Sequence, residues 1–82
     1  MDRKPIQTIR SLRHAGTALR ARRKACKMTQ KQLAEATGTA QSTISDIETS
    51  FVSVSLDVYL RLLEAMKAEL RIADRVQDED LI

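Results

Sequence analysis

The sequence is poor in several residue types on which particular folds and functions depend: it has one cysteine, one histidine, one proline, two glycines and no tryptophan. The lone Cys26 cannot form an internal disulfide, and Cys26 with His14 gives too few ligands for a structural zinc site. No apolar run approaches the roughly 20 residues that a membrane span needs, and no signal-peptide pattern is present. We therefore expect a cytoplasmic protein with no metal, no cofactor, no small-molecule ligand and no membrane contact.

The chain length predicts one domain with a thin core, since 82 residues bury little apolar surface. With disulfides and metals excluded, a second copy of the chain is the remaining source of stability. Few glycines and prolines favour compact helices joined by short turns. We expect an extended N-terminal arm at residues 1–10, a folded domain at residues 11–74 and an acidic, mobile tail at residues 75–82.

Charge is distributed unevenly along the chain. Residues 1–31 carry ten Lys or Arg against one acidic residue, whereas residues 32–82 carry four against ten. A basic half on a small domain favours a polyanionic partner, most often nucleic acid, although a solvated helix face gives the same pattern. A motif is needed to decide between the two.

The first two predicted helices follow from capping residues and apolar spacing. The first runs from an N-cap at Ser11 to about residue 26 and carries a basic outer stripe. The second covers residues 30–37, because Thr29 and Gln32 have the spacing of a capping box. It should end before Gly38, which can adopt the left-handed conformation that closes a helix.

The third predicted helix covers about residues 40–48 and has an unusual outer face. Ile44 and Ile47 point one way, and Gln41, Ser42 and Ser45 point the other. This outer face is small and polar and has little charge, which suggests hydrogen bonding to a polar surface.

The fourth predicted helix, residues 56–66, has more apolar surface than a small core needs. Its predicted core stripe is Leu56, Tyr59, Leu60, Leu63 and Met66, and the apolar surface extends sideways to Val58, Leu62 and Ala65. Such a wide face suggests burial on two sides, one of them against another subunit, although a generous core helix in a monomer is the alternative. Residues 69–73 alternate polar and apolar and predict a strand. This strand needs a partner, either its own copy in a dimer or residues 6–9.

Residues 30–47 have the organisation of a helix-turn-helix. Ala34 is small where the two helices must touch, and Gly38 permits the tight turn between them. Leu33, Ile44 and Ile47 anchor the pair to the rest of the domain. Each feature is weak alone, but together and in register they give a strong signal.

This segment also carries a family resemblance, in the run TQKQLAEATGTAQSTISDIE at residues 29–48. It resembles the Cro/cI-type (Xre) prokaryotic DNA-binding domains, and the likeness covers about residues 15–66. The following helix and residues 69–73 are similar to HipB-type antitoxins. The sequence departs from the family pattern at Lys27, where glycine is frequent, at Thr37 and Thr39, where apolar residues are usual, and at Ala40, which leaves Thr39 to cap the third helix.

The resemblance implies an all-α, lambda-repressor-like domain of four to five helices, with a short C-terminal strand that pairs across a homodimer. It implies base contacts in the major groove from Ala40, Gln41, Ser42 and Ser45. Phosphate contacts are expected from Gln30, Thr43, Arg20, Arg23, Lys24, Lys27 and Lys31. The expected dimer interface consists of Val58, Leu62, Leu70 and Ile72.

Two functions compete. The resemblance implies an antitoxin that represses its own operon through operator DNA and also binds a HipA-like kinase toxin; the alternative is a stand-alone Xre-type regulator without a toxin. A domain that mediates only protein contacts is a third possibility. An enzyme is not expected, because His14 and Cys26 have no partners at catalytic spacing and no phosphate-binding loop is present.

Overall fold

The computed structural model describes residues 6–49 and 52–75. Four helices follow one another in this part of the chain: α1 (Leu12–Ala25), α2 (Gln30–Thr37), α3 (Gln41–Thr49) and α4 (Leu56–Ala65). Residues 6–10 are exposed and belong to no helix or strand, while the rest of the predicted arm, residues 1–5, lies outside the described residues. So does the predicted tail beyond Arg75. None of the described helices is both long and apolar enough to cross a bilayer.

The helix boundaries agree with the capping signals in the sequence. The Ser11 and Ser55 hydroxyls accept from backbone N–H groups in the first turns of α1 and α4. At α2 both halves of the capping box form: Thr29 Oγ1 accepts from Gln32 N at 3.0 Å, and Gln32 Oε1 accepts from Thr29 N at 2.8 Å. Such a cap stabilises a helix by about 1 kcal/mol, which matters for a helix of eight residues.

The core lies where the four helices meet, with α3 packed against α1 and α2, and α4 against α2. Its fully buried side chains are Leu19, Leu33, Ile44, Leu62 and Met66. The Tyr59 hydroxyl donates to Ala15 O at 2.7 Å and so ties α4 to α1. Burial raises the pKa of this phenol.

The predicted core face of α4 is partly wrong. Tyr59, Leu63 and Met66 are buried as expected, but Leu56 and Leu60 are 63% and 42% exposed. Leu62, predicted in the dimer interface, is fully buried in the core. The wide apolar surface of α4 is compatible with more than one orientation, and packing against the other helices selects the one that buries Leu62.

Residues 69–73 form no strand within the described part of the chain. They are exposed, and Arg71 Nε lies 2.7 Å from Oε2 of Glu69, two residues before it. The two polar side chains therefore meet, which is compatible with the alternation of a strand. A strand is defined by a backbone partner, so pairing of this segment across a dimer stays a prediction.

Helix α1 approaches α3 closely at Gly16, a contact that the sequence analysis missed. A Cβ atom at this position would collide with the backbone carbonyl oxygen of Ile47. The sequence signal was a glycine inside a predicted helix, which lowers helix stability by about 1 kcal/mol relative to alanine and therefore suggests a packing reason.

Candidate nucleic-acid interface

The turn between α2 and α3 has the geometry that the sequence predicts. Gly38 has φ 68°, in the left-handed region, and Thr39 N donates to Ala34 O at 3.1 Å. Ala34 is buried and belongs to the core cluster that also contains Ile44 and Ile47 of α3. The Thr37 hydroxyl donates to Leu33 O at 2.8 Å and lies 3.0 Å from the Thr39 hydroxyl. The two threonines that replace the usual apolar residues therefore satisfy one another beside the turn.

The expectation that Thr39 caps α3 is not met, because its hydroxyl faces Thr37. The first backbone hydrogen bonds of α3 run from Thr43 N and Ile44 N to Ala40 O. Among the described residues no side chain caps this end of α3. The first N–H groups of α3 thus remain available at the surface.

The residues predicted to contact bases lie on the outer face of α3, except Ala40, which directly precedes the helix. Ala40, Gln41 and Ser42 are exposed, and Ser45 is half-buried. Within the described residues, the side chains of Gln41, Ser42 and Ser45 make no hydrogen bond, so their amide and hydroxyl groups are free to meet an external partner. Thr43 and Asp46 flank this face and are half-buried, while Ile44 and Ile47 hold it to the core.

Arg23 does not lie on the basic surface, so the sequence assigned it wrongly. Its guanidinium is buried and bidentate with Glu48: Nε lies 2.7 Å from Oε2 and Nη2 lies 3.0 Å from Oε1. A third donor, Nη1, reaches Met28 O at 2.8 Å. Because its donors are committed inside the domain, Arg23 is removed from the set of phosphate contacts.

Gln30 joins the same buried cluster from the first turn of α2. Its Nε2 donates to Glu48 Oε1 at 3.1 Å. The carboxylate of Glu48 therefore links α1, α2 and α3 through Arg23 and Gln30. This contact sets the direction of the Gln30 side chain, which is half-buried and keeps part of its amide for an outside partner.

Electrostatics favour the charged forms of this cluster. Burial raises the pKa of Glu48, but the hydrogen bonds from Arg23 and Gln30 and the positive charges of Arg23 and Arg20 outweigh it, so the net pKa is lowered. The hydrogen bond to Glu48 raises the pKa of Arg23 against the opposing effect of burial. Glu48 was not predicted from the sequence; the signal that could have found it is an acidic residue among the buried positions of a helix with little charge.

The other predicted cations remain at the surface. Arg20, Lys24, Lys27 and Lys31 are exposed, and none forms an ion pair within the described residues. Lys27 follows α1 with φ 58°, so a lysine occupies the left-handed position where the family pattern has glycine. Cations without an ion pair and an uncharged polar helix face are the two components of a surface suited to a duplex, whose phosphates flank its base edges.

The residues predicted in the dimer interface differ in how exposed they are on the single chain. Val58 is half-buried at the edge of the core, and Leu62 is inside it. Leu70 is 42% exposed and Ile72 is fully exposed. Together with Leu56 and Leu60, these two side chains leave apolar surface uncovered on the single chain.

The four helices, with α2 and α3 in contact and joined by a turn at the left-handed Gly38, define a helix-turn-helix DNA-binding domain. A model of the helix-turn-helix family matches residues 19–72. The chain belongs to this family, and it is of the Cro/cI type. Comparison with curated proteins found no significant match.

Solved structures of HipB are similar to this chain. A complex of a HipB variant with an O2 20-mer has a TM-score of 0.77 at 26% identity, covering 85% of this chain and 97% of the HipB chain. A HipB–O4 20-mer complex has a TM-score of 0.76 at 26% identity and covers 84% and 97%. A HipA–HipB–O2–O3 complex has a TM-score of 0.74 at 26% identity, again covering 84% and 97%.

Proposed function

We propose that this protein is a homodimeric repressor that binds operator DNA and serves as the antitoxin of a HipBA-like module. The observation that carries the DNA-binding part is the α3 face, whose polar side chains are free and lie in one domain with four unpaired surface cations. The likeness to HipB over 97% of the HipB chain supports the antitoxin part.

In this proposal α3 enters the major groove. Gln41 reads an adenine through its amide, Ser42 and Ser45 donate or accept at neighbouring base edges, and Ala40 contacts a thymine methyl group. Gln30 and Thr43 hold phosphates on either side, and the exposed N–H groups that begin α3 lie near the same strand. Arg20, Lys24, Lys27 and Lys31 contribute affinity that does not depend on sequence.

The DNA-binding part is tested with two substitutions of opposite character. Gln41→Ala should weaken binding to the operator by about 1–3 kcal/mol and relax the preference at one base position. Lys24→Ala should weaken binding to all sequences alike. It should also reduce the slope of log affinity against log salt concentration by about one. Arg61→Ala is the control, because Arg61 is already paired with Asp57 on α4. Unchanged affinity for both test variants in titrations over a salt series would disprove this docking.

The antitoxin part is tested by capture of a kinase-type toxin. Deleting residues 75–82 should leave operator binding intact and weaken capture, since the acidic residues of this segment are not needed for the α3 face. A pull-down from the source cell, scored for both DNA and a stoichiometric protein, distinguishes the two functions. DNA without a stoichiometric protein would identify a stand-alone regulator, and protein without salt-dependent DNA binding would identify a domain for protein contacts.

A further inference from the structure

Helix α4 ends in a turn that sets the direction of the exposed segment 69–75. Lys67 N donates to Glu64 O at 3.0 Å and Ala68 N to Leu63 O at 2.9 Å, which is the hydrogen-bond pattern of a Schellman motif. Lys67 has φ 56°, in the left-handed region. A lysine there is less favourable than glycine by about 1 kcal/mol, so other contacts must hold this turn closed.

Arg22 of α1 supplies those contacts. Its Nε and Nη2 donate to Met66 O at 2.9 and 2.8 Å, and Nη2 also reaches Lys67 O at 3.2 Å. The guanidinium thus binds the two carbonyl groups that precede the exposed segment. Cys26 Sγ adds a weaker contact to Met66 O at 3.6 Å.

After the carbonyl groups that Arg22 binds, the chain makes few contacts with the rest of the domain. Met66 is buried and Ala68 packs on the core, but residues 69–75 are all exposed. Leu70 and Ile72 belong to this segment, and in the proposed homodimer they meet the second copy of the chain. The path of these two side chains is therefore decided at Met66 and Lys67.

We infer that Arg22 is a positioning residue for dimerisation: it holds the left-handed turn after α4 and thereby aims residues 69–73 at the partner subunit. The inference rests on the homodimer of the proposed function. Arg22 is half-buried and lies on a different side of α1 from Arg20 and Lys24, so this role is separate from phosphate binding. The planar guanidinium suits it, because two of its donors meet the same carbonyl oxygen.

The test measures dimer dissociation by sedimentation equilibrium on the full chain without DNA. Arg22→Gln should raise the dissociation constant at least about tenfold, since hydrogen bonds from a charged donor are lost, and Arg22→Lys should give an intermediate value. The amides of Lys67 and Ala68 should also exchange with solvent about tenfold faster in Arg22→Gln. Arg13→Gln, which removes an exposed cation from the same helix, is the matched control and should change neither quantity.

The outcomes separate this inference from the proposed function. A monomeric wild-type chain at all concentrations overturns the homodimer and this inference with it. A dimeric wild type with an equally tight Arg22→Gln dimer overturns the inference alone, even if the variant melts earlier, because a purely structural role lowers stability without changing the dissociation constant of the folded chain. If Arg22→Gln does not fold, Arg22→Lys decides by the same measurement.

Discussion

At the scale of single residues, Lys27 combines an unfavourable backbone conformation with the phosphate contact that we propose for it. It occupies the left-handed position after α1, where Met28 N donates to Arg23 O at 3.1 Å and Lys27 N to Lys24 O at 2.9 Å. Glycine adopts this conformation without a steric penalty. Lysine at this position is explained if its ammonium binds a phosphate in the proposed complex.

The two effects of Lys27 are separable by substitution. Lys27→Gly should stabilise the fold by about 0.5–1 kcal/mol and weaken DNA binding through the lost charge. Lys27→Ala should weaken DNA binding equally but keep the backbone strain, so its stability should not rise. Urea denaturation and operator titration measure the two effects. A Lys27→Gly variant less stable than Lys27→Ala would contradict the assigned strain.

Gly16 gives a prediction with an unusual sign. In an ordinary helix interior, Gly→Ala stabilises by about 1 kcal/mol. Here Gly16→Ala should destabilise by about 2–4 kcal/mol, because the new methyl group meets the backbone carbonyl oxygen of Ile47 and α3 must move. Thr17→Ala at the next, exposed position is the control and should be nearly neutral. Thermal unfolding of both variants would show the difference, and a stabilised Gly16→Ala would refute the close approach.

At the scale of elements, α1, α2 and α3 are joined through one carboxylate. Glu48 accepts from Arg23 and Gln30, and these hydrogen bonds and charges lower its pKa below the ordinary value of 4.5. Removing one partner of such a pair leaves a buried charge uncompensated, which destabilises the fold by about 3–5 kcal/mol. Replacement of both partners by apolar residues is the gentler change.

Acid should therefore loosen the packing of these three helices. A carboxylate whose pKa is lower in the folded state stabilises the fold above its unfolded pKa, and this stabilisation is lost as pH falls through the folded pKa. We expect the free energy of unfolding to decrease as pH drops below about 4.5. In the double variant Arg23→Met, Glu48→Leu this contribution should be absent. Equal acid sensitivity of wild type and double variant in urea titrations would exclude Glu48 as the responsible group.

At the scale of the whole molecule, the single chain leaves apolar side chains of α4 and the C-terminal segment uncovered. Leu56, Leu60, Leu70 and Ile72 are each more than two-fifths exposed. Bringing a second copy over this surface would bury them and give residues 69–73 a backbone partner. A chain of this length also buries little apolar surface in its own core, so dimerisation would add stability.

Ile72→Asp should accordingly separate dimer from fold. The side chain is fully exposed on the single chain, so the monomer should keep its helical content. The melting temperature should lose its dependence on protein concentration, and affinity for a two-half-site operator should fall well below that of the wild type. Arg71→Gln, which alters the other side of the segment, is the control. Wild-type behaviour of Ile72→Asp in both measurements would place the dimer contact elsewhere.

The features of the fold and the site that were predictable from the sequence are those that depend on residues close together along the chain. Thr29, Gln32 and Gly38 act on backbone groups within a few residues, so the bounds of α2 and the turn after it followed from the sequence. The free polar face of α3 followed from the opposite positions of Ile44 and Ile47. The errors lay where contacts are distant in sequence: Arg23 looks like any surface cation until Glu48, 25 residues away, is placed beside it.

The sequence by itself determined the four helices, the helix-turn-helix and the side of α3 that faces outward, because capping and periodicity depend on neighbours along the chain. Only the tertiary structure decided which apolar side of α4 enters the core, that Gly16 is the contact point of α1 with α3, and that Arg22 and Arg23 bind groups inside the domain. Those outcomes depend on which helices meet. From the sequence alone, a buried arginine cannot be distinguished from an exposed one, because the group that compensates the burial of its charge is distant along the chain.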